Sequence, residues 1–184
     1  DEAPHAARPE AVVSGLNARH LLELAVRPAL QTLGAQYATL AAEQLVMGTA
    51  AKESGGLVWL RQLGNGPALG LWQMEPFTFR DLRDGFLSGD APGKVQLRRA
   101  VGSFSASFSP DPTELCWNLR LAAAYCRLKY LSVSEPLPPA GDVAAMARYW
   151  KRYYNTRLGK GREEEFVSYW ESTIRPVEGV LWPR

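Results

Sequence analysis

The sequence predicts a mainly α-helical protein that contains one loop-rich region with room for a small hairpin. Apolar residues recur at helical spacing, as Val143, Ala147, Trp150 and Tyr154 do at positions i, i+4, i+7 and i+11. Glycine and proline residues separate these stretches and mark helix ends and turns. With 184 residues, 46% of them hydrophobic, the chain is long enough to bury a substantial core.

The N-terminal part of the chain predicts a helix that a proline interrupts. Asn17 is a suitable N-cap for a helix that runs toward Leu33, with Leu21 and Ala25 on one face. Pro28 lacks a backbone N–H, so it would kink this helix or divide it in two.

The middle of the chain predicts one long helix, a region of loops and two shorter helices. The predicted segments are a helix over residues 35–53, the loop-rich region over 55–77, short helices over 78–87 and 92–101, and a loop over 102–110.

The C-terminal part predicts the central helix of the fold over residues 113–131, because apolar side chains cover most of its circumference. The proline-rich stretch 136–141 then breaks the chain, and Asp142 can cap the next helix, which carries Tyr154. A last helix begins near Arg162, where glutamates complement the positive end of the helix.

The chain shows no internal repeat, low-complexity tract or linker, and this predicts a single folded domain over residues 14–184. Residues 1–13 are polar and contain Pro4 and Pro9, which is typical of a flexible N-terminal arm. The arm also carries Val12 and Val13, which could dock on a partner.

Composition argues against several classes of function. The 21 Lys and Arg residues nearly balance the 19 Asp and Glu residues, so nucleic acid is not an indicated partner. No apolar run approaches the roughly 20 residues that span a bilayer. The two histidines do not form a cluster with cysteines, so neither a metal site nor a cofactor is expected.

The two cysteines are not expected to form a disulfide. Cys116 and Cys126 fall in the same predicted helix, and at about 1.5 Å of rise per residue their Cα atoms lie roughly 15 Å apart. A disulfide needs Cα atoms within about 7 Å. Both residues are therefore predicted to be buried thiols.

Glu53 is the strongest candidate for a catalytic residue. Val46, Ala50 and Glu53 share one helix face, and Ser54, followed by two glycines, ends the helix at once. Apolar neighbours and the negative end of a helix both favour the protonated carboxyl, which is the state that a general acid needs. The alternative is an ordinary terminal glutamate that turns outward into water.

The residues after Glu53 resemble the first two motifs of the lytic transglycosylases in the lysozyme-like superfamily. Those motifs are Glu-Ser, then a loop, then Gly-Ala-x-Gly-Leu-x-Gln-x-x-Pro-x-Thr. The matching residues here are Glu53, Ser54, Ala68, Gly70, Leu71, Gln73, Pro76 and Thr78. Departures from the family pattern occur at Gly66, Pro67, Trp72 and Glu75.

Less specific matches continue along the chain. The pairs Asp111-Pro112 and Asn118-Leu119 resemble the start of a family helix, and Tyr154-Asn155 followed by Gly159 resembles the Tyr-Asn-x-Gly motif.

The resemblance implies a helical domain of the goose-type lysozyme kind and cleavage of peptidoglycan without a cofactor. Glu53 would be the single catalytic acid. The matched residues that would bind substrate are Ser54, Gln73, Met74, Tyr154 and Asn155. Tyr154 also suits plain core packing, and Trp59 and Trp72 are the tryptophans most suited to a carbohydrate cleft. Were the enzyme a hydrolase, Glu75, Asp81 or Asp84 could supply a second carboxylate.

Residues 70–76 and 149–156 also resemble a group of tailed-bacteriophage virion proteins that carry a transglycosylase-like domain. The first residues lack a hydrophobic signal core, so delivery in a phage particle, with action in the host periplasm or cell wall, is the expected location. A signal removed before Asp1 would explain the same observation. The expected partners are peptidoglycan glycan strands and other virion proteins.

Two further hypotheses remain open at this point. The chain could be a structural tail or head–tail adaptor component that keeps a lysozyme-like scaffold, since fold does not secure function. It could also be a helical binding module whose motif match is accidental.

Overall fold

The computed structural model describes residues 15–155 and 159–183, and these residues form a mainly helical structure without a β-strand. The predicted fold class is thereby confirmed at the level of a mainly α protein. The predicted arm, residues 1–13, lies outside the described residues.

The first helical stretch, which was predicted to kink or divide at Pro28, is continuous from Ala18 to Leu33 and changes only its hydrogen-bonding pattern just before Pro28. Helix α1 (Ala18–Leu21) passes through a π-helical turn (Leu22–Val26) into α2 (Arg27–Leu33). Pro28 cannot donate a hydrogen bond to the carbonyl of Leu24, and Arg120 Nε donates to that carbonyl instead, at 2.9 Å. The carbonyl of Leu24 therefore keeps a hydrogen-bond donor although Pro28 offers none.

Helix α3 (Leu40–Glu53) is the helix that ends in the candidate acid. Thr39 caps it by accepting a hydrogen bond from the backbone N–H of Ala42, at 3.3 Å. Every side chain from Ala42 to Ala51 is buried, so α3 runs through the core.

The loop-rich region after α3 contains a minimal hairpin. Leu69 and Met74 exchange two backbone hydrogen bonds of 3.0 Å each, and Arg61 pairs with Leu69 in a second isolated bridge. The bridges join single residues and form no strand within the part of the chain that the structure describes.

The remaining helices follow in chain order. They are α4 (Pro76–Arg80) with a π-helical continuation (Asp81–Phe86), α5 (Pro92–Gly102), α6 (Leu119–Leu131), α7 (Val143–Trp150) with a π-helical continuation (Lys151–Asn155), α8 (Glu163–Tyr169) with a π-helical continuation (Trp170–Ile174), and α9 (Glu178–Leu181).

The predicted start of the central helix at residue 113 is wrong. Residues Pro112–Cys116 form a separate 3₁₀ helix, and α6 begins only after Asn118, whose side chain accepts a hydrogen bond from Leu121 N at 3.2 Å. Cys116 therefore lies outside α6 and is half-buried rather than buried, whereas Cys126 is buried within it. Both thiols are free.

The buried side chains form one hydrophobic cluster around α3 and α6, and its largest members include Trp72, Trp150 and Trp170. Gly48 lets α8 approach α3 closely, because a Cβ atom on Gly48 would lie 2.4 Å from Cζ of Phe166.

A partly buried ion pair joins α2 to α3, and the C-terminal segment bonds to the same carboxylate. Arg27 donates to the two carboxylate oxygens of Glu43 at 2.8 and 2.9 Å, and Trp182 Nε1 donates to the same carboxylate at 2.8 Å. At the opposite end of α3, Leu16 N donates to Leu57 O at 2.9 Å, so the first described residues pack on the turn after the helix.

None of the helices that the structure describes is both long enough and apolar enough to span a membrane.

Candidate active site

A cleft of about 940 Å³ opens at the C-terminal end of α3. Five of the six predicted site residues line it: Glu53, Gln73, Met74, Tyr154 and Asn155. These residues come from α3, from the hairpin and from the π-helical continuation of α7, and the fold brings them to one surface.

The carboxyl group of Glu53 is held inside the protein rather than turned outward into water. Its Oε1 accepts a hydrogen bond from Trp150 Nε1 at 2.8 Å, and the side chain is half-buried at the cleft wall. Burial raises the pKa of Glu53, while Lys52, the Trp150 hydrogen bond and Lys129 act in the opposite direction. Burial has the larger effect, so the pKa of Glu53 lies above its usual value and the protonated form is favoured.

Ser54 does not reach the cleft. Its side chain is fully buried, and its hydroxyl donates to Ala50 O at 2.6 Å and accepts from Leu57 N at 2.9 Å. The expectation that Ser54 binds substrate is therefore replaced by a structural role, in which Ser54 fixes the turn that ends α3.

Gln73 lies at the tip of the hairpin with a positive φ of 45°, an uncommon conformation for a residue with a side chain. Its Nε2 donates to Gly70 O at 2.8 Å, which closes the turn. Gly70 must be a glycine here, because its φ is +74° and a Cβ atom would lie 2.2 Å from Leu115 O. The turn thus fixes Gln73 beside the cleft.

Tyr154 is buried in the core and also lines the cleft, and its binding of substrate stays a prediction. Its hydroxyl donates to Trp72 O at 2.7 Å, which joins the end of α7 to the hairpin. Asn155 lines the cleft next to it, and its Oδ1 accepts a hydrogen bond from Lys151 Nζ at 2.8 Å.

The two tryptophans that were candidates for contact with sugars differ in their exposure. Trp59 lines the cleft and is 45% exposed. Trp72 is buried, and its Nε1 donates to Val46 O at 2.9 Å, so the expectation of a cleft role for Trp72 is wrong.

Among the carboxylates considered as a second acid, Glu75 lines the cleft. Asp81 and Asp84 are not part of the lining, and Asp84 is exposed in an ion pair with Arg83 at 2.7 Å.

Sequence reasoning missed two residues beside the acid. Trp150 was placed on a core-facing stripe, but no pattern in the sequence indicates that its N–H meets Glu53. Lys129 lines the cleft from α6, and its ammonium lies 4.8 Å from the ring centroid of Tyr154. The one feature of the sequence that could have drawn attention to Lys129 is its charge, because it is a single lysine on a helix that is apolar around most of its circumference.

The cleft carries charges of both signs. The cations that line it are Lys52, Arg61, Lys129 and Lys160, and the carboxyl groups are Glu53, Glu75 and Glu165. Lys52 pairs with Glu165 at 3.5 Å. Within residues 15–155 and 159–183, His, Cys, Asp and Glu side chains form no group suited to hold a metal ion.

Comparison of the chain with protein-family models, curated proteins and solved structures gives no match. Inferences about function therefore depend on the geometry of the cleft and on the motif resemblance.

Proposed function

We propose that the protein cleaves the glycosidic bond between N-acetylmuramic acid and N-acetylglucosamine in peptidoglycan, with Glu53 as the single general acid and base. The observation that carries the proposal is the state of the Glu53 carboxyl group. It is half-buried in a cleft, it accepts a hydrogen bond from Trp150, and its pKa is raised. A lysozyme-like architecture of the goose type belongs to the same proposal, because the acid ends a buried helix beside a short hairpin.

In the proposed reaction, protonated Glu53 donates its proton to the glycosidic oxygen as the bond to the anomeric carbon breaks. The C6 hydroxyl of the muramyl residue then attacks that carbon, and the Glu53 carboxylate accepts the hydroxyl proton. The product is an anhydromuramyl end, and Glu53 returns to its protonated state. The substrate's acetamido group assists, so no second carboxylate is required.

Several features of the cleft suit a glycan chain. Trp59 presents an exposed ring beside Gly55, where a sugar face can stack. Gln73 and Asn155 supply amide groups, which match the hydroxyl and acetamido groups of the sugars. The cleft thus offers both stacking and hydrogen bonding next to the acid.

A second candidate reaction is hydrolysis. It is supported by Glu75, which lines the same cleft and could serve as a second carboxylate. Glu75 would then activate a water molecule opposite Glu53, as in glycosidases that use two carboxylates. The products distinguish the two reactions, because hydrolysis gives reducing ends and the transglycosylase reaction gives anhydromuramyl ends.

The proposed setting is a phage virion that carries the enzyme to the host periplasm or cell wall during genome entry. It is based on the likeness of residues 70–76 and 149–156 to transglycosylase-like virion proteins. The alternative, a structural tail or head–tail adaptor component, would use the same scaffold without cleavage.

Digestion of isolated sacculi tests the enzymatic proposal. Purified wild-type protein is expected to release anhydromuropeptides, which mass spectrometry identifies. Glu53→Gln keeps the shape of the side chain but cannot donate the proton, so activity should fall by about 10²- to 10⁴-fold. Glu164→Gln makes the same chemical change at an exposed position of α8 and should leave activity unchanged.

Two results would count against this assignment. More than a tenth of wild-type activity in Glu53→Gln would remove Glu53 from the role of the acid. A wild-type protein that releases nothing from sacculi would favour the structural alternative.

A further inference from the structure

Lys52 lies next to the acid in sequence, and it contacts the tryptophan that donates to the acid. Its ammonium lies over the Trp150 ring, 5.1 Å from the ring centroid, and only 15% of its side chain is exposed. Successive residues of an α-helix point about 100° apart, so Lys52 and Glu53 leave α3 in different directions. The indole meets both of them, because its Nε1 donates to Glu53 at 2.8 Å while its ring contacts Lys52.

Glu165 holds the Lys52 ammonium in this position. Its carboxylate pairs with Lys52 Nζ at 3.5 Å and accepts a hydrogen bond from Arg162 N at 2.9 Å, at the start of α8. That backbone hydrogen bond is the largest influence on the pKa of Glu165 and lowers it, so the carboxylate is ionised near neutral pH. A continuous series of contacts therefore runs from the start of α8 to the acid.

The Trp150 ring is also held by contacts other than Lys52. Trp150 is fully buried, and the ring centroid of Phe166 lies 5.8 Å from its own. A Cβ atom on Gly161 would lie 2.7 Å from Trp150 Cη2. We therefore expect the ring to keep its position when the charge of Lys52 is removed, so that a change at Glu53 reports the charge and not a movement of the ring.

Titratable groups surround Glu53 or line the same cleft on each element that packs there. They are Lys52 of α3, Cys126, Lys129 and Tyr130 of α6, Tyr154 after α7, Glu165 and Tyr169 of α8, and Arg61 and Glu75 of the loop-rich region. Burial raises the pKa values of Cys126, Tyr130 and Tyr154, so these groups are neutral near neutral pH. Among the charged groups that the structure describes here, Lys52 alone lies over the Trp150 ring.

We infer that Lys52 is a positioning residue for the acid, and that it acts on Glu53 through the Trp150 indole. A cation over the face of an indole is attracted by the ring and draws electron density toward itself. The N–H group becomes a stronger donor, and its hydrogen bond to the Glu53 carboxylate is strengthened, as in other chains of groups that polarise one another. Lys52 thereby stabilises the carboxylate that must accept a proton in the second step of the proposed reaction. That consequence rests on the proposed function, whereas the effect on the hydrogen bond does not.

A double-mutant cycle separates the effect through Trp150 from the direct attraction between Lys52 and Glu53. The pKa of Glu53 is measured by NMR of its isotope-labelled carboxyl carbon in the wild type, Lys52→Met, Trp150→Phe and the double variant. Lys52→Met should raise the pKa of Glu53, because it removes a cation that favours the carboxylate. In the Trp150→Phe background the same substitution should have an effect at least about twofold smaller, since residues that share a contact are not additive.

Lys129→Met is the matched control for the cycle. Lys129 also favours the Glu53 carboxylate through its charge, but it lies over the ring of Tyr154 rather than that of Trp150. Its substitution should raise the pKa of Glu53 equally in the wild-type and Trp150→Phe backgrounds. Lys52→Arg should leave the pKa of Glu53 close to that of the wild type, because a guanidinium also binds over an indole ring.

The indole N–H of Trp150 gives a second measurement of the same contact. Its proton resonance is assigned by its loss in Trp150→Phe, and it is compared at a pH at which Glu53 is ionised in every variant. Lys52→Met should move the resonance upfield, because a weaker hydrogen bond deshields the proton less. Lys94→Met should leave it unchanged, since Lys94 lies over the ring of Phe86 and outside the cleft.

The outcomes separate this inference from the proposed function. Equal effects of Lys52→Met in the two backgrounds, or an unchanged indole resonance, would overturn the role of Lys52 while Glu53 remains the proposed acid. A protein that shows the coupling but releases nothing from sacculi would support the contact between Lys52 and Trp150 and overturn the proposed function.

Discussion

At the scale of single residues, the chemistry of the cleft depends on how Glu53 is held. The carboxyl group is half-buried and accepts one hydrogen bond, from Trp150, at 2.8 Å. The sequence predicted the helix end and the apolar neighbours of Glu53, because both follow from local spacing. It could not predict Trp150 as the partner, since 97 residues separate the two in the chain.

The pH dependence of activity follows from the raised pKa of Glu53. Only the protonated form can donate, so the rate of sacculus cleavage should fall as pH rises through the raised pKa. Turbidity of a sacculus suspension, followed from mildly acidic to mildly alkaline pH, measures this. A flat profile over that range would contradict the acid role.

The same raised pKa predicts a pH-dependent stability. Between the ordinary pKa of an unfolded glutamate and the raised native pKa, the native state binds more protons, so stability decreases as pH rises. Glu53→Gln removes this effect. The variant should match the wild-type Tm at low pH and exceed it above the raised pKa, and a constant difference across pH would refute the prediction.

Trp150 should tune the acid through its N–H group. Its hydrogen bond lowers the pKa of Glu53, so Trp150→Phe should shift the alkaline fall of the pH–rate profile to higher pH. Trp170→Phe is the matched control, because Trp170 is equally buried and its Nε1 has no hydrogen-bond partner among the described residues. Each substitution should cost about 1–3 kcal/mol of stability, but only Trp150→Phe should move the profile.

At the scale of secondary-structure elements, capping chemistry decides where helices begin. Asn17 and Asp142 cap helices as the sequence predicted, and a π-helical turn precedes Pro28 within the first helical stretch. The start of α6 was missed, because apolar periodicity runs on through Pro112–Cys116 while Asn118 ends that segment and caps the next. Periodicity reports which face is buried, but it does not report where hydrogen bonding changes.

The packing of α3 against α8 gives a prediction at this scale. Gly48→Ala gains about 1 kcal/mol of helix propensity, but the added Cβ would lie 2.4 Å from Phe166 Cζ, so overpacking should dominate. We expect a net loss of up to about 2 kcal/mol in urea unfolding.

A second glycine serves as the control for Gly48. Gly93 in α5 has no atom within 4 Å of an added Cβ, so Gly93→Ala should be neutral or stabilising by up to about 1 kcal/mol. Equal effects at Gly48 and Gly93 would show that packing does not limit the approach of α8 to α3.

At the scale of the whole molecule, long-range contacts assemble the cleft. Glu53, Gln73 and Tyr154 come from three separate segments. The buried hydroxyl of Tyr154 donates to Trp72 O and joins the end of α7 to the hairpin, and Trp72 Nε1 donates to Val46 O and joins the hairpin to α3. The sequence predicted that these residues share a site only through the motif resemblance, because periodicity cannot bring distant segments together. For the same reason it gave no indication that Ser54 faces inward or that Lys129 faces the cleft.

Deletion of residues 1–13 tests whether assembly and catalysis are separable. The arm is too polar to form a core but carries Val12 and Val13. If the protein is a virion component, as proposed, we expect the deletion to abolish its incorporation into particles while the proposed sacculus cleavage continues. Glu53→Gln with the arm intact should give the reverse result. Particles that assemble normally without the arm would exclude it as a docking segment.

The contact between the first described residues and the turn after α3 has a mechanical consequence. Leu16 N donates to Leu57 O, and Leu57 N donates to the hydroxyl of Ser54. The Ser54 hydroxyl in turn donates to Ala50 O in the last turn of α3. Gly15 also packs closely on Gly56, because a Cβ atom on Gly15 would lie 2.6 Å from the carbonyl oxygen of Gly56. A force applied to the chain ahead of Gly15 would therefore act first on the turn next to Glu53. Tension on this part of the chain would displace the acid before it displaces the rest of the cleft.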